Sequence, residues 1–228
     1  MSRVQQKPAQ RGSQKWLQFM VSQRQDVLGH ALQQAGLLDA QENVTWLSPL
    51  ASDEYAEYRD QDFLDRLGVS LPKRSLSSFW PRGGPQWDGL GKTSSGKLVL
   101  VEAKAHIREI CSPPSQARAA SLQLIQSSLN EVKDGLGICN EVDWAGTFYQ
   151  YANRLAHLYL LRELNDLPAY LVFLNFFNDT DMSGPIHAEE WHGAITLLEN
   201  YLGIPRRHKL SNNVIHISLD VLKSRSLP

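Results

Sequence analysis

The stretch that most constrains the fold runs from Pro85 to His106, PQWDGLGKTSSGKLVLVEAKAH. Its second half, Lys97 to Ala105, alternates as a strand does. Val99, Val101, Ala103 and Ala105 fall on one face, and Leu98, Leu100, Glu102 and Lys104 on the other. Both faces begin apolar, the pattern of a strand covered on both sides in the middle of a sheet. Into one of them the sequence sets a carboxylate and an ammonium two residues apart. Isolated charges are expensive to bury, so the pair requires partners, a cation or a water-filled cleft.

The preceding segment supplies a partner. Lys92-Thr-Ser-Ser-Gly96 reads as a polar turn, and Ser95 lies midway between Asp88 and Glu102. An odd-length loop centred there places the two carboxylates directly opposite, with Cβ atoms about 4.5–5.5 Å apart. An even loop turns Asp88 to the other face. Facing carboxylates repel unless a divalent cation lies between them, and oxygen ligands of this kind suit Mg²⁺ or Mn²⁺. Taken singly, Asp88-Gly89 also fits an ordinary turn and Glu102–Lys104 an ordinary surface ion pair.

Pro85-Gln-Trp-Asp88 followed by Glu102-Ala-Lys104 at a strand end resembles the signature of the PD-(D/E)XK nuclease superfamily. Here two residues separate the proline and the aspartate, which are adjacent in the name-giving pattern. The element order extends the likeness over residues 50 to 177. The resemblance implies an α/β protein with a restriction-endonuclease-like core, a mixed central sheet flanked by helices in the order α-β-β-β-α-β, with extra N- and C-terminal elements. It implies a metal-dependent nuclease that hydrolyses phosphodiester bonds of nucleic acid, DNA by preference. Asp88, Glu102 and the carbonyl of Ala103 would hold Mg²⁺ or Mn²⁺, and Lys104 would position or deprotonate the attacking water. A first core helix in this superfamily often adds an acidic residue; Glu54 and Glu57 are the candidates, with Glu57 preferred for its place beside Tyr58. In relatives of the RecB nuclease type a glutamine of the second core helix lies next to the metal, and Gln150 matches it. Arg154 stands where those relatives carry a tyrosine, and its planar fork also suits phosphate oxygens.

The net charge of −1 gives no global basic field, so contact with nucleic acid has to come from local patches. Candidates are Arg82, Lys92, Arg154 and His106. Lys73, Arg74 and Arg82 surround Phe79 and Trp80, which either stack bases or pack as a strand. Gly91-Lys92-Thr93 imitates the end of a phosphate-binding loop. Gln86 stands where that loop needs glycine, and a strand follows where a helix should. His106 continues the face of Glu102 and Lys104, where it either lines the cleft or serves the structure. His187 to His192 lacks the spacing of a His-Glu-x-x-His zinc site.

At 228 residues the chain fits one domain, expected over 15–228, after a polar tail over 1–14 expected to be disordered. One or two helices are expected between 15 and 38, stopping at Gly36, and another from Ser48 to Leu67, capped by Ser52 or Asp53 and ended by Gly68. Further helices are expected over 115–132, over 143–164 and from His187 to about Gly203, with strands over 169–177 and 214–221. In the 143–164 helix the stripe Gln150, Asn153, Arg154 and His157 is expected to face the cleft. Cys111 and Cys139 have neither disulfide nor zinc spacing, no apolar run reaches membrane length, and the N-terminus lacks a signal-peptide core. These features predict a cytoplasmic protein with no membrane partner, for which a homodimer is one available assembly. Two rivals to the enzyme remain open: a nucleic-acid-binding module of the same fold that has lost cleavage, and a structural or interaction domain in which Asp88 faces away.

Overall fold

The computed structural model describes residues 2–226. The first half of the chain contains β1 (Arg3–Val4), α1 (Gly12–Gln23), α2 (Gln25–Gln34), β2 (Val44–Ser48), β3 (Glu57–Tyr58), α3 (Asp60–Leu67), α4 (Leu76–Phe79), β4 (Gly89–Thr93) and β5 (Leu98–Lys104). The second half adds α5 (Ala119–Leu136), α6 (Tyr149–Arg162), β6 (Ala169–Phe177), α7 (Ala188–Leu202), β7 (Val214–Asp220) and α8 (Val221–Ser226). The protein is α/β, with a mixed five-stranded sheet in the order β2-β4-β5-β6-β7 flanked by helices. β2, β4 and β5 run as an antiparallel meander, while β5, β6 and β7 are parallel. Parallel neighbours need a crossover, and α6 and α7 provide the two.

β5 is the middle strand, and its two faces enter two different cores. Val99, Val101, Ala103 and Ala105 pack with Leu17 and Met20 of α1, Leu28 and Leu32 of α2, and Val172, Leu174 and Phe176 of β6. Leu98 and Leu100 pack on the opposite side with Leu90, Leu129, Leu155, Leu158 and Leu171. This is the expected division of faces. β4 carries glycine where it faces the first core: a Cβ at Gly91 would lie 2.6 Å from Cγ1 of Val44, so only glycine lets β2 close over it.

The β4–β5 hairpin settles the register. Gly89 faces Val101, Leu90 faces Leu100, Gly91 faces Val99 and Lys92 faces Leu98. That pairing is symmetric about Ser95, so Asp88 falls opposite Glu102, as the odd-length loop requires. The strand expected over 169–177 is β6, the last expected strand is β7, and α7 begins after His187 and ends at Gly203.

Several expectations need correction. The tail over 1–14 is ordered from Ser2: Arg3 and Val4 pair with Tyr58 and Glu57, and α1 starts at Gly12. The helix expected from Ser48 to Leu67 is α3 alone, Asp60–Leu67, ended by Gly68 at φ 65. Ser52 and Asp53 do not cap it; they lie in a short 3-10 turn, and the chain then runs extended through Glu57 and Tyr58. The outer meander strand is Val44–Ser48, so Ser48, expected to open that helix, instead ends a strand. Phe79 and Trp80 are buried at the end of the short helix α4, so they serve packing and are unavailable to bases. α5 and α6 start later than expected, at Ala119 and Tyr149. Among the described residues no helix is long and apolar enough to cross a membrane, and Cys111 and Cys139 are free and exposed.

Candidate active site

Beyond Leu100 the second face of β5 changes from apolar to charged, and four elements converge on it. Asp88, at the start of β4, accepts a hydrogen bond at Oδ2 from the backbone N–H of Ala103, 2.7 Å away. Glu102 is 3% exposed. Its Oε1 takes the ammonium of Lys104 at 2.5 Å and its Oε2 takes Nε of Arg154 at 2.6 Å. Arg154 reaches in from α6, also donating to the carbonyl of Gln86 and to Oδ1 of Asn153, each at 2.8 Å, with its guanidinium 5.1 Å from the centre of the Trp87 ring. Asp88, Glu102 and Lys104 are thus brought together as the hairpin register predicts.

The electrostatics of the two carboxylates differ. Burial would raise the Glu102 pKa, but the charges and hydrogen bonds of Arg154 and Lys104 outweigh it and hold Glu102 below its ordinary value. Asp88 keeps part of its residue surface, yet loss of hydration at its carboxyl, followed by the charge of Glu102, pushes its pKa up to about 8. Lys104 offsets some of that, and Glu57 adds to it. Burial would lower the Lys104 pKa, but Glu102 and then Asp88 raise it, so the ammonium stays charged.

Glu57 is near enough to act on Asp88, but from a strand and not from the expected helix. Its Oε1 accepts from Gln14 at 2.9 Å, and its Oε2 accepts from Gln6 at 3.1 Å and from Gln86. The N-terminal segment therefore helps to build the site's outer wall. Glu54 points elsewhere, exposed and paired with Arg3.

The remaining candidates divide. Gln150 lines a small cavity together with Glu102 and Lys104. The rest of the α6 polar stripe faces no open cleft: Asn153, Arg154 and His157 are buried. His157 packs against Phe63, Trp80 and Trp87, and burial lowers its pKa to about 3. Arg154 is committed to Glu102 and is not a free phosphate ligand. His106 accepts the N–H of Arg108 at 3.0 Å and starts a short 3-10 turn, so it serves the structure and does not line the cavity. Lys92 sits near the hairpin tip, four residues and roughly 13 Å along β4 from Asp88. Arg82 is exposed in a loop groove shared with Arg59 and Trp80. Lys73 and Arg74 are neutralised by Asp166 and Glu131.

Sequence reasoning missed Arg154 as the partner of Glu102, and missed Glu109, Asn175 and His216, which line the same cavity. Asn175 left a signal, as the polar interruption in the apolar run AYLVFLNFF.

Two carboxylates and nearby backbone carbonyls are the donor chemistry of a hard divalent ion. Asp88 fits it, being desolvated beside a second carboxylate and with no partner at Oδ1 among the described residues. Glu102 offers a ligand only by releasing Lys104 or Arg154 from one oxygen. Among the described residues no group of three or more His, Cys, Asp or Glu is already arranged to hold a metal. Comparison with family models, with curated proteins and with solved structures returned no match.

Proposed function

We propose that this chain is a nuclease of the PD-(D/E)XK type with a restriction-endonuclease-like core, hydrolysing phosphodiester bonds of nucleic acid, DNA by preference. The observation that carries the reading is the convergence of Asp88, Glu102 and Lys104 at the end of a buried strand, with the Asp88 pKa raised to about 8. A carboxylate so disfavoured in its charged form, beside a second one, is a site short of positive charge. The order of α1 and α2, three meander strands, α6 and a parallel β6 supports the same reading.

Asp88 and Glu102, with the carbonyl of Ala103, are the proposed ligands of Mg²⁺ or Mn²⁺. When bound, such an ion supplies a water of lowered pKa and screens the scissile phosphate. Lys104, kept charged by its acidic neighbours, offsets the negative charge that develops on the phosphoryl oxygens in the transition state. Gln150 flanks the same face and orients the substrate. The test is cleavage of DNA and RNA, single and double stranded, with Mg²⁺ or Mn²⁺. Lys104→Ala and Asp88→Ala should each lower the rate roughly 10²–10⁴-fold. Equal cleavage by wild type and Lys104→Ala rejects the assignment.

A second reading has its own observation. Arg154 holds Oε2 of Glu102 in a buried ion pair, taking a position a cation would need. If that pair is permanent, the chain is a nucleic-acid-binding module of the same fold. Titration calorimetry with Mn²⁺ separates the two: the nuclease gives binding that Asp88→Ala removes, and the binding module gives none.

A further inference from the structure

Two grooves share Arg82 as a common wall. The larger, about 810 Å³, is also lined by Arg59 and by Ser75 and Ser77. The smaller, about 370 Å³, is also lined by Arg118, Ser115, Gln116 and Tyr149. Asp60 is the one acidic residue of either groove among the described residues, and its carboxylate is engaged. It accepts the N–H of Gly83 at 3.0 and 3.1 Å and that of Gly84 at 2.9 Å, which pins the loop that carries Arg82. Nε of Arg59 stands 4.0 Å from Oδ2 of Asp60, beyond hydrogen-bond reach. The side chains of Arg82 and Arg118 are exposed and have neither an ion-pair nor a hydrogen-bond partner among the described residues. Lys73 and Arg74, by contrast, are paired with Asp166 and Glu131, so the uncompensated positive charge of this surface collects at the grooves.

The grooves adjoin the Asp88–Glu102 site. The Gln86 carbonyl, four residues past Arg82, accepts from the same Arg154 that holds Glu102. Tyr149, in the wall of the smaller groove, directly precedes Gln150, and its hydroxyl lies close to Ser115, Asn153 and Arg154. Resting on the nuclease reading for its partner, we propose that the two grooves form one track for the sugar-phosphate backbone of a nucleic-acid strand. Arg82 and Arg118 are its phosphate ligands, and Arg59 is a third at the far end. A guanidinium fork matches two phosphate oxygens at once, and contacts of this kind position a strand without reading its sequence. A chain with a net charge of −1 has no general field to do this, so its affinity is concentrated in these few arginines.

The test is binding of a short labelled single-stranded DNA to the full chain, read by fluorescence anisotropy in EDTA so that no metal-dependent cleavage intervenes. Wild type should bind with an affinity that falls as salt rises. Arg82→Gln and Arg118→Gln should each weaken binding roughly fivefold and lower the salt slope by about 0.7. Neither should change the melting temperature, because both side chains are exposed and unpaired. Arg206→Gln, on an exposed loop that enters β7 from the other end of the sheet, should lose nothing. A wild type that binds no DNA overturns the track, as do undiminished binding by the two groove variants and an equal loss in all three. Poly-glutamate that displaces the DNA at equal charge concentration makes the partner an acidic polypeptide and overturns it too. Cleavage is scored separately. If the chain cuts DNA and Arg82→Gln changes neither binding nor KM, the nuclease reading stands and the track falls. If the chain binds through Arg82 and Arg118 but cuts nothing, the track stands and the nuclease reading falls.

Discussion

Toward α1 and α2, β5 presents Val99, Val101, Ala103 and Ala105, all buried among apolar partners. Toward α6 the same strand presents Leu98 and Leu100, then a buried Glu102 paired with Arg154 and Lys104, and a half-buried Lys104. The first face is held by a sum of small contacts, each replaceable at moderate loss. The second is held by a charge balance in which every member depends on the others, so removing one leaves a buried charge without its partner. A face of that kind contributes little net stability.

The largest expected effect comes from breaking that balance. Arg154→Met leaves Oε2 of the buried Glu102 without its cation, with only Lys104 still paired at Oε1, and should cost roughly 3 kcal/mol in urea unfolding. Mn²⁺ should restore more stability to this variant than to wild type, because Arg154 no longer competes for Oε2. An equal response in both would show that the ion does not bind at Glu102.

Leu174→Ala probes the apolar face, where Leu174 is fully buried. It should cost about 3 kcal/mol and leave the response to Mn²⁺ as it is in wild type. A changed response would mean that the two faces communicate.

A third effect sharpens the comparison with a charged cluster far from the site. At the hairpin tip, burial alone would raise the Glu42 pKa, but hydrogen bonds from Lys97, Ser95 and Thr93 hold it down at about 2. Its contribution is therefore present above the ordinary carboxylate pKa of 4.5 and is lost as pH falls through 2. Glu42→Gln should cost about 2 kcal/mol at neutral pH, and acid titration of both proteins should show the difference closing below pH 4.5.

The smallest effect is expected at Asp88, with the opposite sign. Its raised pKa favours the protonated folded state, so that contribution is present below 3.8 and is lost as pH rises to about 8. Without divalent ions, Asp88→Asn should lie within about 1 kcal/mol of wild type near pH 5. It should then gain on wild type as pH climbs toward 8, and Mn²⁺ should reverse that trend by favouring the ionised aspartate. A wild-type-to-variant difference that stays flat from pH 4 to 8 would remove the coupled carboxylates from the account.

Much of the fold was legible because it is local. Apolar runs of the right length gave β6 and β7, and Gly68 and Gly203 marked helix ends through the left-handed conformation that suits glycine. The Val44–Ser48 strand was hidden because its meaning comes from β4, which it meets across a long excursion through β3, α3 and α4. Phe79 and Trp80 looked available to a ligand because composition cannot say which way a short helix packs. The tail over 1–14 looked disordered for the same reason, since its glutamines acquire a role only when Glu57 is beside them.

The sequence by itself determined, through strand alternation, that Lys104 shares the side of Glu102, and it limited Asp88 to two registers, facing Glu102 with an odd-length loop and turned away with an even one. The observed hairpin pairing selects the first. Only the tertiary structure decided that Arg154, 52 residues beyond Glu102, closes the ion pair, and that Asn175 stands beside Lys104 over a cavity. Those contacts depend on how a crossover helix and a parallel strand settle onto the sheet. That placement is set by the packing of whole elements, and no nearest-neighbour pattern in the chain encodes it.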